Sequence, residues 1–155
     1  SRYILFELPM NNEFKGLKDL LFNLQVNGYI PVIAHPERYR FIKENPEEVI
    51  NLHQAGALFQ VNVGSILGNY GEEAKKTVML LLKHQIPSFM ATDTHHDTHE
   101  FYKKIPEVKT ILKKHIPEDY IEELFNVNAK NILENKIFEP REAIPFKKGL
   151  FGKIK

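Results

Sequence analysis

Residues 28–38 read Gly28-Tyr29-Ile30-Pro31-Val32-Ile33-Ala34-His35-Pro36-Glu37-Arg38, and the order of residue types in them decides the fold class. A glycine suited to stop a helix precedes five apolar residues of strand length, and a polar block with a proline follows. Upstream, Glu13 to Asn27 carries Phe14, Leu17, Leu20, Leu21 and Leu24 on one helical face. Before that helix, Tyr3 to Pro9 reads as a buried strand closed by its proline. Downstream, Asn45-Pro46-Glu47-Glu48 supplies a cap, a first-turn proline and two acids that suit the dipole of a helix running to Gly56. Leu58 to Val63 is a third strand, Gly71 to Gln85 a helix with Val78, Leu81 and Leu82 inward, and Pro87 to Ala91 a fourth strand. Helical stretches follow at about Phe101 to His115 and Glu118 to Glu134. Strands alternating with helices in this way predict βα units, a parallel sheet and the α/β class.

Residues 1–137 are expected to form this unit. Residues 138–155, with Pro140, Pro145, Gly149, Gly152 and four lysines after Phe146, are expected to form a loosely packed basic tail. The first strand begins after two residues, with no initiator Met. We therefore expect a chain cut at that point, whose open sheet edge favours self-association.

Composition excludes several kinds of function. Lys and Arg number 21 against 20 Asp and Glu, for a net charge of +1, so there is no electrostatic case for nucleic acid as a partner. No apolar run approaches the ~18 residues of a transmembrane segment, and a cytoplasmic location fits. The absence of cysteine removes disulfides, thiolate zinc sites and cysteine nucleophiles. Any catalysis must use oxygen and nitrogen groups, and a metal suits such a set.

Chemistry-bearing residues recur where the strands end. Strand one ends in Glu7, strand two runs into His35, strand three leads through Gln60 and Asn62 to Gly64 and Ser65, and strand four delivers Asp93 and His95. In parallel α/β architectures the βα loops converge at that edge, so these residues point to one shared site. Each has a plainer reading beside it. Glu7 can be an edge-strand residue facing water, and His35 a hydrogen-bonded structural histidine. Asp93 and His95, two apart in extended chain, share a face and together suit a divalent metal such as Mn²⁺ or Zn²⁺. His53 and His84 read as surface residues, His115 suits a helix's last turn, and His96 and His99 read as bystanders or adventitious ligands. Gly64 to Gly68 reads as a structural or phosphate-adjacent turn, since it lacks the order of a nucleophile elbow.

The block from Gly28 to Arg38, with Phe6-Glu7-Leu8-Pro9 upstream and Ala91-Thr92-Asp93-Thr94-His95 downstream, closely resembles the bacterial capsule-type tyrosine phosphatases of the PHP metal-hydrolase superfamily. The likeness runs from Tyr3 onward and includes Asn128-Ala129, Ile132-Leu133-Glu134 and the Leu150-Phe151-Gly152 tail. The resemblance implies part of a distorted (β/α)7 barrel, a cluster of divalent ions, often manganese, and metal-assisted hydrolysis of phosphotyrosine. It implies Glu7, His35, Asp93 and His95 as metal ligands and Arg38 as the phosphate-holding arginine; the plainer reading of Arg38 is a surface salt bridge to a helix acid. The implied substrate is a phosphotyrosine protein, a bacterial tyrosine kinase controlling capsular or exopolysaccharide synthesis. Two other readings stand beside it: a PHP-type phosphatase of a small ester such as histidinol phosphate, and a non-catalytic half-barrel binding module. The family's opening His-x-His motif, a further histidine and a glutamate are absent, which implies weak metal binding and negligible turnover by these 155 residues alone. A second phosphate-binding arginine is also missing, with Thr98-His99-Glu100 in its place.

Overall fold

The computed structural model describes residues 1–12, 14–96 and 100–146. Four parallel strands, β1 (Tyr3–Phe6), β2 (Ile30–Ala34), β3 (Leu58–Asn62) and β4 (Phe89–Ala91), lie in the order β1-β2-β3-β4. Chain order equals spatial order, one of the arrangements that an alternating βα pattern permits. The register pairs Phe6 with Ile33, Ala34 with Gln60 and Asn62 with Ala91, so the four C-terminal ends stand along one rim.

Helices connect the strands: α1 (Leu17–Val26) after β1; α2 (Arg40–Glu44) and α3 (Glu47–Gln54) after β2; α4 (Val63–Leu67) and α5 (Glu72–Lys83) after β3. A 3₁₀ turn (Phe101–Lys104) and α6 (Ile105–Leu112) follow β4. The last helical stretch is continuous through α7 (Glu118–Glu122), a π-helical segment (Glu123–Val127) and α8 (Asn128–Leu133).

Alternate side chains of a strand serve opposite faces of the sheet. Ile33, Phe59, Val61 and Met90 bury into two helix-covered cores, one built with Leu21, Tyr39, Val49 and Leu81, the other with Ile66, Val78, Leu112 and Leu124. Val32, Leu58 and Phe89 occupy the other face, where Ile132, Phe138, Tyr3 and Ile30 pack on them.

Several expectations need correction. The first strand is not buried: Leu5 is 61% exposed, because β1 lies at the end of the sheet and Leu5 stands level with Val32 beyond the cover of Phe138. Helix α1 starts only at Leu17, so Phe14 lies outside it and is exposed, while Glu13 lies outside the described residues. The Gly64–Gly68 turn is mostly the short helix α4, which ends at Gly68 in the left-handed region (φ 84°), as a glycine there permits.

The tail is held along its first half. Phe138 stacks on Tyr3 and meets Phe89 edge-on. Arg141 pairs with Glu123 (2.7 Å) and Asp119 (2.6 Å), and Ile144 N–H donates to the His84 carbonyl (2.9 Å). Residues 138–146 thus touch the domain at several points. They carry a cation and aromatic rings for which the domain has partners. The lysine-rich 147–155 lie outside the described residues. The same contacts remove His84 from the surface set, since its ring lies 4.3 Å from Phe146 and its Nδ1–H donates to the Ile144 carbonyl. His53 is half-buried against Phe59.

Candidate metal and phosphate site

The rim is built outward from His35. The chain leaves β2 with the His35 N–H donating to the Gln60 carbonyl at 2.6 Å, one step beyond the Ala34–Gln60 pair. Pro36 disfavours the right-handed helical region for the residue before it, and His35 takes φ 36°, ψ 56°. That left-handed residue turns the chain into the 3₁₀ turn Pro36–Arg38. Among the described residues four non-glycines have positive φ, and His35 and Asp93 (φ 54°) are two of them, both at strand exits. Such conformations persist where neighbours fix them, and they collect at functional sites.

His35 Nε2 lies 3.1 Å from Glu7 Oε1, with the His35 side chain 2% exposed and that of Glu7 63% exposed. Tyr39, fully buried, accepts the Leu8 N–H at 2.8 Å and so fixes the chain one residue past Glu7. Burial pushes the Tyr39 phenol up to about 12, so it stays neutral in this role.

At the other side, Asp93 Oδ2 accepts from Asn62 Nδ2 at 2.9 Å and faces Arg38 Nη1 at 3.5 Å. Asn62 is locked in turn: its Oδ1 accepts from Gln60 Nε2 (2.6 Å), and its backbone N–H donates to Glu37 Oε1 (3.0 Å). The Ser65 hydroxyl donates to that same Glu37 oxygen at 2.6 Å. Glu37 is fully buried, and burial raises its carboxyl above the ordinary range, partly offset by the Ser65 and Asn62 bonds. The Arg38 guanidinium carbon lies 4.3 Å from the centre of the Tyr70 ring.

His95 is set by Asp93 itself. Its Nδ1 lies 2.8 Å from the Asp93 carbonyl, which can only accept, so Nδ1 carries a proton. In the neutral ring that is the tautomer in which an outer hydrogen bond prepares a histidine to bind a metal.

All of residues 1–134 match the capsular polysaccharide synthesis CpsB/CapC family. The chain belongs to that family. It is 34% identical over 154 residues to tyrosine-protein phosphatase YwqE of Bacillus subtilis (strain 168), covering 98% of this chain and 59% of the relative. A putative tyrosine-protein phosphatase CapC of Staphylococcus aureus is 33% identical over 138 residues, covering 88% and 52%. A crystal structure from work on YwqE of Bacillus subtilis and CpsB of Streptococcus pneumoniae, described as unique metal-dependent tyrosine phosphatases, superposes with a TM-score of 0.84 at 33% identity, over 95% of this chain and 59% of that one. The chain thus spans between half and two thirds of the CpsB/CapC proteins it matches.

The five residues singled out in the sequence fall into two groups on one rim. Glu7 meets His35, and Arg38 meets Asp93 beside His95. Among the described residues, the carboxylate that Arg38 meets is the strand-end Asp93 and not a helix acid. The donor types, carboxylate oxygen and imidazole nitrogen, suit Mn²⁺ or Zn²⁺. Their number does not complete a centre, for among the described residues no group of three or more His, Asp or Glu stands ready to hold an ion.

Glu37, Tyr39 and Tyr70 were missed as supports, although Glu37 and Tyr39 flank Arg38 in sequence. Gln60, Asn62 and Ser65 were seen at the strand end without their partners. The available signal was weak: a run of amide and hydroxyl side chains leaving an otherwise apolar strand needs buried partners. Thr98 and His99, the stretch without a second arginine, lie outside the described residues.

Proposed function

We propose that this chain forms the C-terminal part of the active site of a metal-dependent protein-tyrosine phosphatase. In this reading Glu7, His35, Asp93 and His95 are ligands to divalent ions, manganese among the candidates, and Arg38 holds the substrate phosphate. The observation that carries it is Arg38, a half-buried guanidinium beside Asp93, on the same rim as the Glu7–His35 pair. A planar, permanently charged fork at this place suits a phosphoryl group. Relatives bearing the name tyrosine-protein phosphatase support the choice of phosphotyrosine over other esters.

A bound divalent ion supplies Lewis-acid polarisation of phosphoryl oxygens and a bound water of lowered pKa. The chain's own residues do the remaining work. Arg38 binds and orients the phosphate, Asn62 holds Asp93 in place, and the Asp93 carbonyl fixes the His95 tautomer. His35, enclosed by protein, presents Nε2 toward Glu7 at the opening of the rim. With two such pairs among the described residues, we expect the 155-residue chain alone to bind divalent ions weakly and to turn over phosphotyrosine negligibly.

The physiological substrate in this reading is a phosphotyrosine protein of capsule or exopolysaccharide assembly, a bacterial tyrosine kinase, met in the cytoplasm. No helix among the described residues is long and apolar enough to cross a membrane. The test is an assay of the protein at its full encoded length on a phosphotyrosine peptide and on histidinol phosphate, with and without chelator. Chelator-sensitive turnover that prefers the peptide is expected. Preference for the small ester would transfer the site to that substrate class, and turnover of neither would leave a binding module.

A further inference from the structure

Tyr70 sits in the turn between α4 and α5, in no motif that the sequence singles out. We propose that Tyr70 is a positioning residue for Arg38: its ring is a fixed shelf that holds the guanidinium ready for the substrate phosphate, and Gly64 is what lets the shelf lie there. The proposal rests on the reading of Arg38 as the phosphate-holding group.

Three observations carry it. The Arg38 guanidinium carbon lies 4.3 Å from the ring centre, within reach of a cation–π contact, while Asp93 approaches the same group at 3.5 Å. The head of an otherwise mobile side chain is thus held between a ring and a carboxylate.

The ring is itself seated. A Cβ on residue 64 would stand 2.8 Å from Tyr70 Cε2, too close unless the ring shifts, with tight approaches of 3.3 Å to its Cζ and 3.4 Å to Phe101 Cζ. Gly64 lies inside α4, where glycine is a poor helix former and the backbone needs no left-handed residue. Close approach of the Tyr70 ring is what accounts for a glycine there. Phe101 supports the ring's other surroundings, with centroids 6.5 Å apart.

The spacing of shelf and arginine is also fixed. Ser65, next to Gly64, donates to Glu37, next to Arg38, at 2.6 Å, and the Asn62 N–H donates to the same carboxyl at 3.0 Å. The two segments that carry Tyr70 and Arg38 are therefore tied by buried hydrogen bonds at their neighbours. A free arginine gives up much rotamer freedom when it grips an anion, and a shelf that has already removed that freedom strengthens binding without touching the chemical step. The consequence is a split between KM and kcat.

The experiment is steady-state kinetics of the full-length protein on a phosphotyrosine peptide. Tyr70→Leu should raise KM about three- to tenfold, the worth of one partly buried cation–π contact. It should leave kcat within about twofold, and Tyr70→Phe, which keeps the ring, should restore KM to within about twofold. In an Arg38→Ala background Tyr70→Leu should add nothing. Gly64→Ala, which displaces the ring, should raise KM as Tyr70→Leu does, and it decides the matter if Tyr70→Leu does not fold. An unchanged KM in Tyr70→Leu or Gly64→Ala overturns the proposal, as does a rise of equal size in the Arg38→Ala background. A wild-type protein with no turnover on the peptide overturns the assigned reaction instead. The shelf is then judged by calorimetric binding of inorganic phosphate to the same variants, where the same loss and the same dependence on Arg38 are required.

Discussion

At the middle of the rim, Glu37, Asn62 and Ser65 are buried and bonded to one another across β2, β3 and α4. At the β1 end, Glu7 is largely exposed with His35 as its contact, and Leu5 on the same strand faces open space. The difference lies in what surrounds each strand. An interior strand has neighbours on both edges, so its exit residues find polar partners and settle into one arrangement. At the β1 end Glu7 is left largely to solvent, whereas past β4, at the other end, Asn62 and Arg38 reach out to hold Asp93. The interior half of the site is thereby pre-organised, and the outer half depends on what else approaches it.

The largest effect that would sharpen this contrast is on stability. Glu37→Ala leaves the Asn62 N–H and the Ser65 hydroxyl buried without their acceptor, at a cost of about 2–4 kcal/mol. Glu7→Ala should cost less, about 1 kcal/mol or under in the metal-free chain, since Glu7 is itself exposed and the substitution removes one contact, to the buried His35. Urea melts of both variants measure the difference, and equal costs would erase the distinction between middle and end. Second, Arg38→Lys keeps the charge and loses the fork. In the full-length protein kcat/KM on phosphotyrosine peptide should fall about tenfold or more, with metal content by elemental analysis unchanged.

Third, the open β1 edge should associate with a second copy. Light scattering of the 155-residue chain should give a mass above 18.1 kDa, and Leu5→Lys should return it toward the monomer, since charge on an edge strand discourages pairing. A monomeric wild type would show that the edge is adequately protected. The smallest effect lies far from the rim, at His53. Burial lowers its pKa, partly offset by the nearby backbone of Arg141 and Ala57. As pH falls through the unfolded value of about 6.5, the unfolded state takes the proton first, so stability is full above that pH and declines below it. Between about pH 7.5 and 5.5 the wild-type Tm should drop more than that of His53→Gln.

The same contrast explains what could be seen in the sequence. β2, β3 and the inward residues of α5 were legible because their hydrophobic patterns match their burial, and the strand-end residues were legible because chain order places strand ends together. The exposure of Leu5 was not, since an apolar run does not say whether a neighbour covers it. Glu37 beside Arg38 reads as surface charge until Asn62 and Ser65, both more than twenty residues away, are seen to meet it. The contacts of residues 138–146 were hidden for the same reason: Arg141 finds Asp119 and Glu123 only in three dimensions.

In the proposed reading, separate strand ends make one metal-dependent phosphate site. Its most direct test is elemental analysis of the full-length protein alongside phosphotyrosine turnover, on the same preparations of wild type, Glu7→Ala, His35→Ala and Asp93→Ala. We expect each substitution to lower metal content and to reduce turnover by at least about tenfold. Wild-type metal content and turnover in both His35→Ala and Asp93→Ala would contradict the account.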